Sequence, residues 1–186
     1  MVPRKWKAPA KEKKAIGLVQ IFTGNGKGKT TAALGTILRA TGHGKRIFVV
    51  FFMKGEFPYG ERTALLRLPN VEVASFGSMD FCNPQAIKPE ETAQAKQALA
   101  AVREAMLSGR YDIVVMDEVD VAVAFNLITV DDVVALIKDK PAQVELILTG
   151  RYADDKLIEM ADLVTEMVKI KHPLDRGIKA RQGIEY

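Results

Sequence analysis

The run Thr23-Gly24-Asn25-Gly26-Lys27-Gly28-Lys29-Thr30 alternates glycine with polar and basic residues. That composition suits the grip of a polyphosphate. Glycines let the backbone curl until successive N–H groups point inward. A helix starting directly afterwards adds its positive end. Lys29 supplies a full charge to the terminal phosphates, and the Thr30 hydroxyl is the hard oxygen donor that magnesium accepts. The spacing follows the phosphate-loop pattern G-x-x-x-x-G-K-[ST] except at its first position, where Thr23 stands. Lys27 either adds charge to the phosphates or points to solvent. Gly24, Asn25, Gly26, Lys27, Gly28, Lys29, Thr30 and Thr31 are therefore the candidate nucleotide cradle.

A second set of residues has chemistry of the complementary kind. Ile113-Val114-Val115-Met116-Asp117-Glu118 is an apolar run that ends in two acids. Beside a phosphate loop, one acid can hold magnesium or its waters while the other orients a neighbouring group. Adjacent residues at a strand end point to opposite sides, which implies different jobs for Asp117 and Glu118. Thr30, Glu118 and Asp117 are the candidate metal-side residues. Asp120 is expected to be structural or at the surface.

These groups need a frame, and the hydrophobic periodicity supplies one. Strands are predicted over 17–23, 45–53, 71–75, 111–117, 143–149 and 163–170. Helices are predicted over 29–41, 61–68, 89–108, 129–138 and 154–161, with Ala33, Leu34, Ile37 and Leu38 sharing one face of the first. Strands alternating with helices predict an α/β fold: a mostly parallel sheet of about six strands flanked by helices, like the phosphate-loop NTPases of RecA type. Ligands in such sheets sit beyond the carboxyl ends of the strands. The glycine run, residues 54–62, residues 76–83, the Asp117-Glu118 pair and Gly150-Arg151 all fall there.

The 186 residues carry a formal charge of +4. Arg4, Lys5, Lys7, Lys11, Lys13 and Lys14 stand against Glu12 alone in the first fourteen residues, so the rest of the chain is close to neutral. Residues 1–14 are expected to be a disordered basic tail, and 15–186 a single domain. No apolar run approaches the ~20 residues of a membrane-spanning helix, and no secretory signal follows the basic start. The single cysteine, Cys82, suits a reducing compartment. A cytoplasmic protein is expected.

Together these residues resemble the ATP:corrinoid adenosyltransferases of cobalamin metabolism. The likeness rests on residues 22–31, Gly42-His43-Gly44-Lys45, Phe52-Met53-Lys54-Gly55, Gly60-Glu61-Arg62 and the Asp117-Glu118 strand. It continues through Leu148-Thr149-Gly150-Arg151, residues 161–167, Lys171-His172 and the terminal Gly183-Ile184-Glu185-Tyr186. The resemblance implies that cobalt(I) of a reduced corrinoid attacks the 5′ carbon of ATP and triphosphate leaves. Lys29 would then be catalytic, and residues 25–31 would hold the triphosphate in an orientation reversed from ordinary phosphate-loop NTPases. Thr30 and Glu118 would serve Mg2+. Arg39 matches a family arginine on the phosphate-loop helix. Arg151 is placed near ribose or adenine, and Glu61 and Arg62 are placed to close on ligand. The family sets a phenylalanine and a tryptophan against the lower cobalt face. Here that loop reads Phe76-Gly77-Ser78-Met79-Asp80-Phe81-Cys82, without tryptophan. Phe81 is the candidate for the aromatic role, Met79 for an apolar one, and Phe76 belongs either to the corrinoid face or to the core. The family also implies a homodimer and an electron-donating flavoprotein partner.

Two other functions fit the same residues. A small-molecule kinase would use the phosphate loop with Glu61 and Arg62 in a lid. An ATP-gated module would use the basic tail on nucleic acid, although nucleic acid is not the expected partner.

Overall fold

The computed structural model describes residues 16–55, 57–78 and 82–186. The basic tail expected over 1–14 lies outside them. Six strands form one sheet: β1 Val19–Thr23, β2 Ile47–Phe51, β3 Val71–Ser75, β4 Ile113–Asp117, β5 Glu145–Thr149 and β6 Leu163–Glu166. Their order is β3-β2-β4-β5-β1-β6, and every pairing is parallel. The helices are α1 Lys29–Thr41, α2 Gly60–Leu65, α3 Pro89–Leu107, α4 Val119–Ala124, α5 Val130–Lys138 and α6 Asp155–Met160. A short 3-10 turn, Pro173–Arg176, follows β6.

Side-chain alternation explains why the central strands are apolar throughout. In β4, Val114 and Met116 join the core under α3 to α6, while Ile113 and Val115 join the core under α1 and α2. In β5, Leu146 and Leu148 take the first side and Ile147 the second. A strand with both faces covered has no room for a polar alternate. Each fully buried Leu, Ile or Val contributes about 1.5–3 kcal/mol.

Three local outcomes differ from expectation. On α1, Ala33 and Ile37 are buried as predicted, but Leu38 is 65 % exposed; the helix is seated on the narrow Lys29, Ala33, Ile37 row. The last strand stops at Glu166 because the chain there turns onto the glycine loop, where Met167 N–H donates to the Thr23 carbonyl at 2.8 Å. Residues 119–124 form α4, which the β-branched pattern did not announce. It begins because Glu118 takes a left-handed conformation (φ 65) at the end of β4.

Asp120, in the first turn of α4, is fully buried, which removes the surface alternative. Neither carboxylate oxygen has a hydrogen-bond partner among the described residues. Gly150 packs against it: a Cβ on Gly150, whose φ is +154, would lie 2.6 Å from Asp120 Cβ. Burial, and secondarily the charge of Glu118, push the Asp120 carboxyl up to about 7 from 3.8. The fold therefore holds this proton over a window in which the unfolded chain has lost it. Stability attributable to Asp120 falls as pH rises from about 4 to about 7. In metal-free and nucleotide-free buffer, Asp120→Asn is expected to flatten that fall and to exceed the parent at pH 8 by up to about 4 kcal/mol. Urea unfolding across the pH range reads this out; an unchanged slope would mean that Asp120 ionises without penalty.

Candidate functional site

The glycine run joins the buried end of β1 to the start of α1. Gly28, with φ 120, is the residue before the helix, and no side chain caps it. The first N–H groups of α1 therefore remain available to an anion. They face a cavity of about 660 Å³ lined by residues 26–31 and by Lys54, Glu61, Glu118 and Arg151, among others. That volume suits a nucleotide-sized ligand. The loop is fixed from below. Gly26 N–H donates to the Met167 carbonyl at 2.6 Å, and a Cβ on Gly26 would lie 2.6 Å from that same oxygen. Only glycine fits.

Lys29 is 8 % exposed and donates to the Gly26 carbonyl at 2.9 Å. Burial lowers its pKa. Glu118 and Asp117 counter that loss, and Arg151 adds to it. The ammonium is thus held over the loop by hydrogen bond and by acids, in a site that lacks water's full screening.

The two acids divide their work, though not through strand alternation. Asp117 is buried and both of its oxygens are engaged. One accepts from the Thr149 hydroxyl at 2.7 Å and the other from Lys54 Nζ at 2.6 Å. The same threonine oxygen accepts the Glu118 N–H at 3.0 Å. Glu118 is turned by its left-handed backbone and lines the cavity. Burial and neighbouring Asp117 raise its pKa, against the pull of Lys54, Lys29 and Arg151. Of the expected metal-side residues, Thr30 and Glu118 face the cavity, whereas Asp117 is committed to Lys54 and Thr149.

Lys54 was not singled out from sequence. It lies in a short loop after β2, and its partner Asp117 is 63 residues away. A lone lysine in a loop carries no local signature; only its place just past a strand end pointed to it. Burial works against its charge, but Asp117, Glu118 and Glu61 more than compensate and its pKa is raised. Its ammonium also sits 4.9 Å from the Tyr59 ring centre. His172 and residues 183–186, unassigned from sequence, line the same cavity.

The remaining expected residues separate into groups. Glu61 lines the cavity, 3.8 Å from Lys54 Nζ. Arg62 instead donates to the Gly55 carbonyl at 3.1 Å and pins its own loop. Arg151 lines the cavity and also, with Asn25 and His172, a neighbouring recess of about 220 Å³. Gly24 opens the loop with φ 99, and Thr31 lines the cavity. Lys27 also lines the cavity, and its ammonium binds the Ile184 carbonyl at 2.7 Å and Glu185 at 2.8 Å. Arg39 is not brought to the phosphate loop. It occupies the last turn of α1, roughly 15 Å along the helix from Lys29, and lines a separate cavity with Gln20, Thr36 and Asp112. Phe76 packs against the core. Met79 and Phe81 lie outside the described residues. His43 is in an exposed turn. Among the described residues no helix is long and apolar enough to cross a membrane.

The chain is 39% identical over 173 residues to the corrinoid adenosyltransferase of Escherichia coli K12, covering 91% of this chain and 86% of that protein. It is 37% identical over 170 residues to corrinoid adenosyltransferase CobA of Salmonella typhimurium, with the same coverage. It is 36% identical over 172 residues to the corrinoid adenosyltransferase of Pseudomonas aeruginosa, covering 91% and 84%. Residues 15–186 match the family described as ATP:corrinoid adenosyltransferase BtuR/CobO/CobP, and the chain belongs to that family.

Proposed function

We propose that this chain transfers the 5′-deoxyadenosyl group of ATP to the cobalt(I) of a reduced corrinoid and releases triphosphate. One observation carries this most directly. A chain of this family holds an uncapped helix start, Lys29 and Lys54 around one cavity, where the charge of a triphosphate leaving group would develop. The C5′–O bond breaks, its electron pair departs with the triphosphate, and the cobalt lone pair forms the new bond to carbon. No side-chain nucleophile is required. The protein's tasks are to place the 5′ carbon in line and to meet the departing charge with fixed dipoles and cations. Family membership does not favour γ-phosphoryl transfer or a nucleic-acid-binding role.

The chain's own groups fit those tasks. Backbone N–H groups of residues 27–31 and the Lys29 ammonium would hold the phosphates. Lys54, kept protonated by Asp117, would add a second fixed charge. Arg151 and Asn25 line the smaller recess and would serve the nucleoside end. The donor set also fits magnesium, which takes few protein ligands and shares its shell with phosphates and water. Thr30 and Glu118 would hold it. Bound there, it would neutralise charge on the leaving triphosphate. Phe81 and Met79 are assigned to the corrinoid face on resemblance alone. The proposal includes a cytoplasmic homodimer supplied with reduced corrinoid by a flavoprotein. Apolar Leu163, Val164 and Val168 are exposed on and just beyond the edge strand β6, and an uncovered edge of that kind favours association.

Lys29→Ala is expected to lower triphosphate release by about 10²–10³-fold while the circular dichroism spectrum stays native. Glu118→Gln should raise the Mg2+ concentration for half-maximal rate several-fold; an unshifted Mg2+ titration would remove Glu118 from the metal. Lys54→Met leaves the Asp117 carboxylate buried with one bond lost, at an expected cost of about 3–5 kcal/mol in urea unfolding. Unaltered stability would show that Asp117 does not depend on that ammonium. The overall activity is tested by anaerobic incubation of reduced cobalamin with Mg-ATP, followed by the spectrum of a light-sensitive cobalt–carbon bond.

A further inference from the structure

The carboxyl-terminal residues 183–186 wall one side of the phosphate cavity, yet the reaction as described gives them nothing to do. They hydrogen-bond to the phosphate loop through Lys27. Lys27 Nζ donates to the Ile184 carbonyl at 2.7 Å and to Glu185 Oε1 at 2.8 Å. At its other end the segment meets the loop before α2, where the Tyr186 ring stands edge-on to Phe57 with centres 5.6 Å apart. The segment thus bridges the two loops that border the cavity.

Three features make the Lys27 contact easy to exchange. The lysine side chain is 43% exposed, so this is a solvent-screened pair of small net worth. Glu185 keeps a partner without it: Arg181 donates to Oε2 from Nε at 3.1 Å and to Oε1 from Nη2 at 3.1 Å, and its own N–H reaches Oε2 at 2.8 Å. These bonds, Arg181 first and Lys27 second, hold the Glu185 carboxyl down to about 2. Finally, the segment is folded on itself, with the Glu185 N–H on the Arg181 carbonyl at 2.9 Å and the Gly183 N–H on the Tyr186 carbonyl at 2.6 Å. It can move as a unit without breaking a ladder. A triphosphate in the adjoining cavity carries several negative charges and offers Lys27 a stronger partner than a carboxylate already served by Arg181.

We propose that residues 181–186 form a strap whose Glu185 parks Lys27 until a triphosphate enters, when Lys27 passes to the phosphates and the strap loses its hold on the phosphate loop. Glu185 is then a positioning residue for nucleotide binding. This rests on the phosphate-loop assignment above and adds to it a cost of entry set by residues 181–186.

The test uses the full chain with Mg-ATP and with inorganic triphosphate plus Mg2+ as probes. Affinity is measured by calorimetry, and backbone exchange of the peptide containing residues 181–186 by mass spectrometry. Both probes are expected to bind and to speed exchange in that peptide. Glu185→Gln is expected to tighten binding several-fold, with Glu185→Asp restoring the parent value. In a Lys27→Ala background the same Glu185→Gln change is expected to have no effect. Binding with unchanged or slowed terminal exchange, or an equal effect of Glu185→Gln in both backgrounds, overturns the strap alone. Failure of the unmodified chain to bind either probe overturns the phosphate-loop assignment and the strap with it.

Discussion

An ammonium group that must meet a polyanion in a partly dry cavity has to be kept charged before the polyanion arrives. Burial lowers the pKa of a lysine unless acids stand beside it. At this site Asp117 supplies that support. Its two oxygens hold Lys54 and Thr149, and Thr149 in turn fixes the Glu118 N–H. Three residues from three strand ends, Lys54, Glu118 and Thr149, are thereby locked around one buried carboxylate. Lys29 is steadied by Glu118 and Asp117 across the same space. Without that carboxylate Lys54 would lose its hydrogen-bonded counter-charge, and burial would push its ammonium toward neutrality or out to solvent.

The sheet makes this cluster possible by bringing distant segments to one edge. Neighbouring β2, β4 and β5 end side by side, so Lys54, Asp117 and Thr149 meet although more than thirty residues separate each pair along the chain. The chain then leaves these strands through unusual backbone. Met53, Glu118 and Tyr152 all have positive φ just past β2, β4 and β5. Non-glycine residues in that region store local strain, which the packed strands below must overcome. For Glu118 the benefit is visible: the turn swings its carboxylate onto the cavity instead of leaving it on the alternation of the strand.

Much of this architecture was legible in the residues. Strand periods alternating with helix periods announced a mostly parallel sheet flanked by helices. Glycine spacing announced a tightly curled loop before α1, and Gly24 and Gly28 do take positive φ there. Other features were not legible. Arg39 matched a family position, but a helix carries it away from the loop at 1.5 Å per residue. Residues 119–124 alternate like a strand, yet the turn at Glu118 starts a helix. Phe76 offered two roles, and packing placed its ring against the core.

The sequence by itself determined the α/β order, the glycine cradle, the paired acids and membership of an adenosyltransferase family, because each of these is written in residues close together in the chain or in long stretches of matching sequence. Tertiary structure alone decided that Asp117 serves Lys54, that Glu118 faces the cavity, that Asp120 is sealed inside, and that Lys27 is taken by the carboxyl terminus. Those outcomes depend on contacts across large separations and on single backbone torsions. No local pattern of residues encodes either.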